Sequence, residues 1–191
     1  MRIVGGTLSG RRFAGPKGDG TRPTSERVRE AVASALESRG GFEGTRVLDL
    51  YAGTGALAFE ALSRGAERAT LVDRDPAVTR AIGDAASALG LATRCTVLRL
   101  DLTSPTAVPK IVAGGAPFDR VFVDAPYAEM APVRTLLEAL RTHGALTPDA
   151  VVVVEHQKKN PPASPHGFQV ISERVYGDTA VLFLTPDEDV Q

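Results

Sequence analysis

The sequence has few of the residues that build disulfides and metal sites. Its 191 residues include one cysteine, Cys95, and three histidines. A single cysteine excludes an internal disulfide and fits a reducing cytoplasm, and so small a set of ligands predicts that no metal is bound. No apolar run approaches the roughly 20 residues of a membrane span, and the first residues lack the apolar core of a secretion signal. We therefore expect one cytoplasmic domain with no membrane association.

Charge is distributed unevenly along the chain, although the net charge is only -1. Residues 1–29 carry seven basic side chains against two acidic ones, whereas the rest carries 15 basic and 21 acidic side chains. A basic segment on an acidic body predicts a polyanionic partner, and a solvated tail is the alternative. We divide the chain into a basic extension, 1–24, and a main domain, 25–191. The candidate polyanion contacts are Arg2, Arg11, Arg12, Lys17 and Arg22.

Strands and helices alternate through the main domain. This alternation predicts an α/β domain with a mainly parallel, Rossmann-like sheet and right-handed crossovers. A short strand or hairpin is expected over 2–13, and a closing antiparallel hairpin turns at Gly177 and Asp178. The predicted strands are 46–51, 69–73, 95–100, 118–124, 150–155, 168–176 and 179–184, and the predicted helices are 25–39, a segment ending at 64, 75–89, 104–113 and one opening at Pro132.

A glycine turn follows the first predicted strand, where residues 47–57 read Val-Leu-Asp-Leu-Tyr-Ala-Gly-Thr-Gly-Ala-Leu. Glycines let the backbone approach a ligand closely, and open α/β sheets bind ligands beyond the carboxyl ends of their strands. Asp49 interrupts an apolar strand, Asp73 ends the second strand where a ribose would be held, and Asp101 ends the third. These features predict a nucleotide-type site, although the glycines fit NAD as well as S-adenosylmethionine, and ordinary strand-end caps are the alternative.

The fourth predicted strand runs into Asp124-Ala125-Pro126-Tyr127. A dehydrogenase has no evident need for this tetrad, but an enzyme that methylates the amino group of a nucleobase does. The amino lone pair is delocalised into the ring, and hydrogen bonds to Asp124 and to a main-chain carbonyl localise it. Tyr127 can stack on an extruded base. The tetrad therefore favours methyl transfer by positioning and electrostatics, with a rigid loop turn as the alternative.

Two further blocks carry a family resemblance. Residues 2–12 read Arg-Ile-Val-Gly-Gly-Thr-Leu-Ser-Gly-Arg-Arg, and residues 21–31 read Thr-Arg-Pro-Thr-Ser-Glu-Arg-Val-Arg-Glu-Ala. With the glycine turn and the tetrad, they resemble the bacterial RsmD family of 16S rRNA (guanine(966)-N2)-methyltransferases over nearly the whole chain. The resemblance implies a seven-stranded class I methyltransferase sheet, S-adenosylmethionine as donor and a guanine N2 acceptor in the rRNA of a 30S subunit or its assembly intermediate.

The resemblance also assigns residues to roles. The catalytic motif falls on Asp124, Ala125, Pro126 and Tyr127. The donor-binding positions fall on Arg22, Pro23, Thr24, Asp49, Tyr51, Ala52, Gly53, Thr54, Gly55, Asp73, Arg74, Asp101 and Leu102. The basic residues of the extension would contact rRNA phosphates, or would cap and solubilise the segment instead.

One departure concerns Ala125, which stands where the family usually has a proline. The carbonyl at this position survives, and the following Pro126 still favours an extended conformation, so we expect a modest loss of rigidity and unchanged chemistry. Three alternatives stay open: a DNA adenine-N6 methyltransferase, which uses the same tetrad, a non-catalytic rRNA-binding assembly factor, and an NAD-binding oxidoreductase. We expect a monomer.

Overall fold

The computed structural model of the chain describes residues 1–16, 24–126 and 130–187. Within them, helices and strands alternate after a short 3-10 turn at Gly6–Leu8. The helices are α1 Glu26–Glu37, α2 Ala56–Ser63, α3 Pro76–Leu89, α4 Ala107–Ala113 and α5 Met130–Thr142, and a second 3-10 turn spans Ala92–Arg94. The strands are β1 Arg46–Leu50, β2 Arg68–Asp73, β3 Cys95–Arg99, β4 Phe118–Val123, β5 Leu146–Gln157, β6 Phe168–Tyr176 and β7 Thr179–Pro186.

The strands of the described residues form one seven-stranded sheet in the order β3-β2-β1-β4-β5-β7-β6. The first five strands pair in parallel, and β7 is antiparallel to both β5 and β6. The predicted mainly parallel sheet with a closing antiparallel hairpin is therefore confirmed. Because the order of the strands reverses between β1 and β4, a crevice opens at the carboxyl ends of these two strands.

Helices cover both faces of the sheet and produce two hydrophobic clusters. The first contains Phe59 and Phe122 together with apolar side chains of α1, α2 and α3. The second contains Phe118 and Leu137 together with apolar side chains of α4 and α5. Strands buried on both faces explain why β1, β4 and β5 are nearly continuous apolar runs. This core fixes the positions of the strand ends at which the polar residues lie.

Local sequence signals set the ends of the helices. The hydroxyl of Ser25 accepts a hydrogen bond from the Val28 N–H at the start of α1, and Asp75 accepts one from the Ala77 N–H, at 2.7 Å, at the start of α3. These side chains satisfy N–H groups that have no partner within the helix. At the other end of α3, Gly90 adopts a left-handed φ of 76° and so stops the helix.

The N-terminal extension contributes to the core of the domain. Ile3 and Phe13 are buried in the first cluster, and the Phe13 ring meets the Phe59 ring edge-on at 5.2 Å. The strand or hairpin expected over 2–13 is present as a short hairpin, in which main-chain hydrogen bonds join Met1 to Phe13 and Ile3 to Gly10 and Arg11 on either side of an antiparallel bridge between Arg2 and Arg12. Beyond this pairing, the N–H groups of Val4 and Gly5 donate to the buried carboxylate of Glu60 and so tie the segment to α2.

Three elements begin two or more residues away from their predicted first residues. Strand β5 begins at Leu146 instead of 150, since Leu146 pairs with Phe118 across an irregularity in the ladder. Helix α4 begins at Ala107 instead of 104, because residues 102–106 form turns in which the Ala107 N–H donates to the carbonyl of Ser104. Helix α5 already includes Met130, which leaves Pro132 within the first turn, where a missing N–H is tolerated.

Candidate functional site

A cleft of about 1020 Å³ lies at the carboxyl ends of the parallel strands. It therefore occupies the place where the reversal of strand order predicts a ligand site. The predicted site residues that line it are Thr24, Asp49, Tyr51, Ala52, Gly53, Thr54, Asp73, Arg74, Asp101, Leu102, Asp124, Ala125 and Pro126. The structure thus brings together residues that are 100 positions apart in the sequence.

The glycine turn between β1 and α2 forms one wall of the cleft. Tyr51, Gly53 and Gly55 all have positive φ, at 57°, 52° and 72°. Such a conformation is strained for Tyr51, and strain of this kind persists where the surroundings impose it and is concentrated at functional sites. Gly55 does not line the cleft itself but begins α2, where a Cβ atom would lie 2.9 Å from the Phe59 ring. Packing and backbone conformation both require glycine there.

Asp73 and Asp101 occupy the ends of β2 and of the segment after β3. The Asp73 carboxylate accepts hydrogen bonds from the Gly53 N–H at 3.1 Å and from the Asp75 N–H at 3.0 Å. It therefore ties the glycine turn to the neighbouring strand. Asp101 accepts bonds from the N–H and hydroxyl of Thr103, and these bonds lower the pKa of Asp101. Both carboxylates lie on the cleft wall, and hydrogen bonds within the protein use part of their acceptor capacity.

Asp49 and Asp124 stand on adjacent strands, since β1 and β4 pair with Leu50 beside Val123. Asp49 is buried, and its carboxylate accepts a hydrogen bond from the Ala58 N–H at 3.2 Å. Burial raises the pKa of Asp49 well above its usual value, and the charges of Asp124 and Asp73 add to this effect. Burial likewise raises the pKa of Asp124, whereas the bond of 2.9 Å that its carboxylate accepts from the Thr24 hydroxyl opposes the shift. The cleft therefore holds two partly desolvated carboxylates side by side.

The remainder of the predicted tetrad continues from Asp124. Ala125 is buried, and its methyl group packs in the second hydrophobic cluster, while Pro126 is exposed at the mouth of the cleft. The alanine thus fills a core position at the place where the family usually has proline. Tyr127, the fourth member, lies outside the described residues, as do Lys17, Arg22 and Pro23.

Another wall of the cleft was not predicted from the sequence. It comes from the end of β5 and from the β6–β7 hairpin, and its residues are Glu155, Gln157, Lys159, Tyr176, Asp178 and Thr179. A signal for Glu155 was present, because it follows an apolar strand just as Asp73 and Asp124 do. The residues of the hairpin had no such signal, since their position depends on the order of the strands.

Carboxylates predominate on the cleft wall formed by the described residues. Seven carboxylates and two basic side chains line it: Asp49, Asp73, Asp75, Asp101, Asp124, Glu155 and Asp178 against Arg74 and Lys159. A concave site lined by charges of one sign attracts ligands of the opposite sign. The cleft is therefore suited to a cationic ligand.

Of the predicted polyanion contacts, the structure describes Arg2, Arg11 and Arg12; none of these three lines the cleft, and two of them make bonds within the protein. Arg2 forms an ion pair with Glu26, and Arg11 donates hydrogen bonds to the carbonyls of Ala88 and Leu89 at the end of α3. Arg11 thus satisfies carbonyl groups that the helix leaves without a partner. Arg12 is exposed.

Two further findings concern metals and membranes. Among the residues that the structure describes, no group of three or more His, Cys, Asp or Glu side chains is placed to hold a metal ion. In the same part of the chain, none of the helices combines the length and the apolarity that crossing a membrane requires.

Comparisons with known proteins agree with this arrangement. A family model described as conserved hypothetical protein 95 matches residues 1–185. The Escherichia coli K12 protein named "Ribosomal RNA small subunit methyltransferase D" is 33% identical over 181 residues, covering 94% of this chain and 87% of its own length. The Bacillus subtilis protein named "Putative rRNA methyltransferase YlbH" is 32% identical over 182 residues, covering 95% of this chain and 96% of its own.

Solved structures show the same architecture. A structure titled "Putative methyltransferase yhhF from Escherichia coli" superposes with a TM-score of 0.80 at 31% identity, covering 98% of both chains. The fold is thus the predicted class I methyltransferase fold. Because the family model spans almost the whole sequence and the relatives exceed 30% identity, the chain belongs to the conserved hypothetical protein 95 family, which is the RsmD family of methyltransferases.

Proposed function

We propose that this protein transfers a methyl group from S-adenosylmethionine to the exocyclic N2 amino group of a guanine in 16S rRNA. The observation that carries the proposal is the position of Asp124 at the tip of β4, one strand from the glycine turn and on the wall of the same cleft. The names of the two relatives, both rRNA methyltransferases, support rRNA as the acceptor.

The residues of the cleft fit this donor. The glycine turn admits close approach of a ligand to the backbone, and Asp73 stands where a carboxylate accepts hydrogen bonds from ribose hydroxyls. Asp101 and Thr24 both line the cleft, and we assign Asp101 to the adenine end of the donor and Thr24 to its methionine end. The donor carries its methyl group on a sulfonium cation and is already activated, and the excess of carboxylates favours a cation of this kind. No nucleophilic side chain is required.

The acceptor nitrogen needs activation by position. Its two N–H bonds donate to the Asp124 carboxylate and to the main-chain carbonyl of Ala125, which localises the lone pair and aims it at the methyl carbon. The nitrogen–carbon bond forms as the carbon–sulfur bond breaks, and the proton that the nitrogen then loses leaves through Asp124 to water. Because Asp124 must be ionised to accept both the hydrogen bond and the proton, the bond from Thr24 favours the reactive form. Stacking by Tyr127 stays a prediction.

The substrate is proposed to be rRNA within a 30S subunit or an assembly intermediate, and the enzyme to act as a cytoplasmic monomer. The N-terminal segment supplies Arg12, and Lys17 and Arg22 are the further candidates for phosphate contacts. Arg2 and Arg11 form an ion pair or hydrogen bonds with other residues of the protein, and we propose that their positive charge still attracts the phosphates. Phosphate contacts of this kind would make binding weaken as salt increases.

The test is methyl transfer to 16S rRNA in 30S particles from cells that lack the gene. Tritiated donor is used, followed by digestion to nucleosides and mass spectrometry. We expect N2-methylguanosine from the wild-type protein, and a loss in kcat of about 100-fold or more for Asp124→Ala, by analogy with the removal of a preorganised group in other enzymes. Calorimetry with S-adenosylhomocysteine should show nearly unchanged binding by that variant. Asp84→Asn, at an exposed position of α3, is the control and should retain full activity.

Other outcomes identify the alternatives. N6-methyladenosine formed equally well in duplex DNA would favour a DNA adenine methyltransferase. Binding to 30S particles without any methyl transfer would favour an assembly factor. Tighter binding of NAD than of S-adenosylhomocysteine would favour an oxidoreductase. Undiminished transfer by Asp124→Ala would refute the mechanism.

A further inference from the structure

A continuous row of polar side chains extends from Asp124 across the sheet. Along β4, Phe122 belongs to the first hydrophobic cluster and Val123 to the second. Side chains alternate between the faces of a strand, so the next residue, Asp124, returns to the face of Phe122. Asp49 shares this face, since it lies beside Phe122 in the register of β1 and β4.

Strand β5 continues the row. Val153 belongs to the first cluster and Val154 to the second, so Glu155 and Gln157 point to the same face as Asp124. In the parallel pairing of β4 and β5, Val123 stands beside Val154. The residues that follow them, Asp124 and Glu155, are therefore lateral neighbours on one face, and both line the cleft.

The β6–β7 hairpin supports the end of this row. Thr179 pairs with Gln157 of β5 and with Tyr176 of β6, and all three line the cleft. On the opposite face, the Nδ1–H of the buried His156 donates to the Gln157 carbonyl at 2.9 Å, and the ring lies 3.4 Å from the carboxylate of Glu173 on β6. The wall formed by Glu155 and Gln157 is thus held by pairing and packing on both sides.

The Watson–Crick edge of guanine presents three neighbouring groups: the N2 amino group and N1–H, which donate, and O6, which accepts. Adenine presents an acceptor at N1 and an amino donor at N6. Neighbouring strands lie about 4.8 Å apart, so carboxylates at one register of two strands can accept from two adjacent donors of a single base. Asp124 and Glu155 can accept from N2 and from N1–H, and Gln157, two residues further along β5, carries an amide that can donate to O6; all three side chains line the cleft.

We propose that Glu155 is a specificity-determining residue, whose carboxylate accepts the N1–H of the target guanine while Asp124 holds N2 and the Gln157 amide donates to O6. This inference rests on the proposed function, because it assumes a guanine acceptor. It adds the residue that distinguishes guanine from adenine: the Glu155 carboxylate would face the N1 lone pair of adenine and reject it.

The test compares guanine with 2,6-diaminopurine at the target position that mass spectrometry identifies. Each base is introduced into 16S rRNA by splinted ligation, and the rRNA is then assembled into 30S particles. Diaminopurine keeps the N2 amino group but has an acceptor at N1 and a donor in place of O6. A lost or mismatched hydrogen bond to a base changes recognition by about 10- to 100-fold, so we expect the wild-type kcat/KM to favour guanine by at least that factor. In Glu155→Gln, the amide can donate to the N1 of diaminopurine, and the preference for guanine should fall at least tenfold.

A control variant and donor-binding measurements distinguish a role in base recognition from other effects of the substitution. Glu67→Gln makes the same change on the exposed surface and should leave both rates unchanged. An equal loss of kcat/KM on both substrates in Glu155→Gln, or an unchanged preference for guanine, would overturn the inference. Loss of affinity for S-adenosylhomocysteine in this variant would also overturn it, because Glu155 would then contact the methyl donor instead of the target base. If the wild-type protein methylates no guanine, the proposed function fails instead.

Discussion

Gly55 belongs to the glycine turn of the cleft and also packs against the core, so Gly55→Ala should lower the free energy of unfolding. A Cβ atom added at Gly55 would lie 2.9 Å from Cε2 of Phe59 and 3.1 Å from Cδ2 of Leu71, both of which are fully buried. Gly90 at the end of α3 has nearly the same backbone conformation, with φ of 76° against 72°, but no atom lies within 4 Å of its added Cβ. The pair therefore separates crowding from backbone strain.

The magnitudes follow from these surroundings. A left-handed conformation costs alanine roughly 1–2 kcal/mol, partly offset by about 0.4–1 kcal/mol from the reduced entropy of the unfolded chain. Gly90→Ala should therefore lower the free energy of unfolding by about 1 kcal/mol. Gly55→Ala must also displace side chains in a close-packed core, which costs about 1–3 kcal/mol. We expect a total loss of about 2–4 kcal/mol for this variant.

Urea unfolding followed by circular dichroism and by tyrosine fluorescence measures both variants, and coincident transitions establish two-state behaviour. The chain contains no tryptophan, so tyrosine is the intrinsic probe. Gly55→Ala should be less stable than Gly90→Ala by at least about 1 kcal/mol, and it should also bind S-adenosylhomocysteine more weakly because the turn shifts. Equal stability of the two variants would refute the assignment of Gly55 to a crowded position.

Two further substitutions test particular hydrogen bonds. Thr24→Val removes the hydrogen bond that lowers the pKa of Asp124, so the acidic limb of the pH–rate profile should move to higher pH. Thr24→Ser keeps the hydroxyl and should leave the limb in place. An unmoved limb in the valine variant would contradict the role of this bond. Glu60→Ala leaves the N–H groups of Val4 and Gly5 without their buried acceptor. The free energy of unfolding in urea should therefore fall by about 2–4 kcal/mol, at about 1–2 kcal/mol for each N–H group that loses its partner. A loss below about 1 kcal/mol would show that water replaces the carboxylate.

Most strands and helices could be predicted because local signals specify them. Apolar runs define the buried strands, and capping residues such as Asp75 and Gly90 define the helix ends. The N-terminal segment could not be predicted in the same way. Its partners lie more than 50 residues away on α2, where Glu60 and Ser63 bind the main chain of residues 4–8. Hydrophobic periodicity within the segment carries no information about such partners.

The candidate site likewise contains residues that local sequence patterns predict and residues whose position depends on distant parts of the chain. Asp49, Asp73 and Asp124 could be predicted to meet, because carboxyl ends of parallel strands lie at one edge whatever the order of the strands. The wall that contains Tyr176 and Thr179 required the order β5-β7-β6, which sequence patterns alone do not specify. That wall of the cleft was therefore less visible in the sequence than the wall formed by the glycine turn.

Asp49 and Asp124 show why these positions depart from the apolar pattern of their strands. Burial raises the pKa of both, so the folded chain holds protons more tightly than the unfolded chain. Their contribution to stability therefore decreases as the pH rises from the usual carboxyl range towards the raised pKa values. A cation bound beside them would favour their ionised forms and lower both pKa values, so we expect binding of the proposed donor to release protons and to strengthen with pH over that range. The residues that make this cleft costly to fold are thus the ones that would favour the proposed cationic donor.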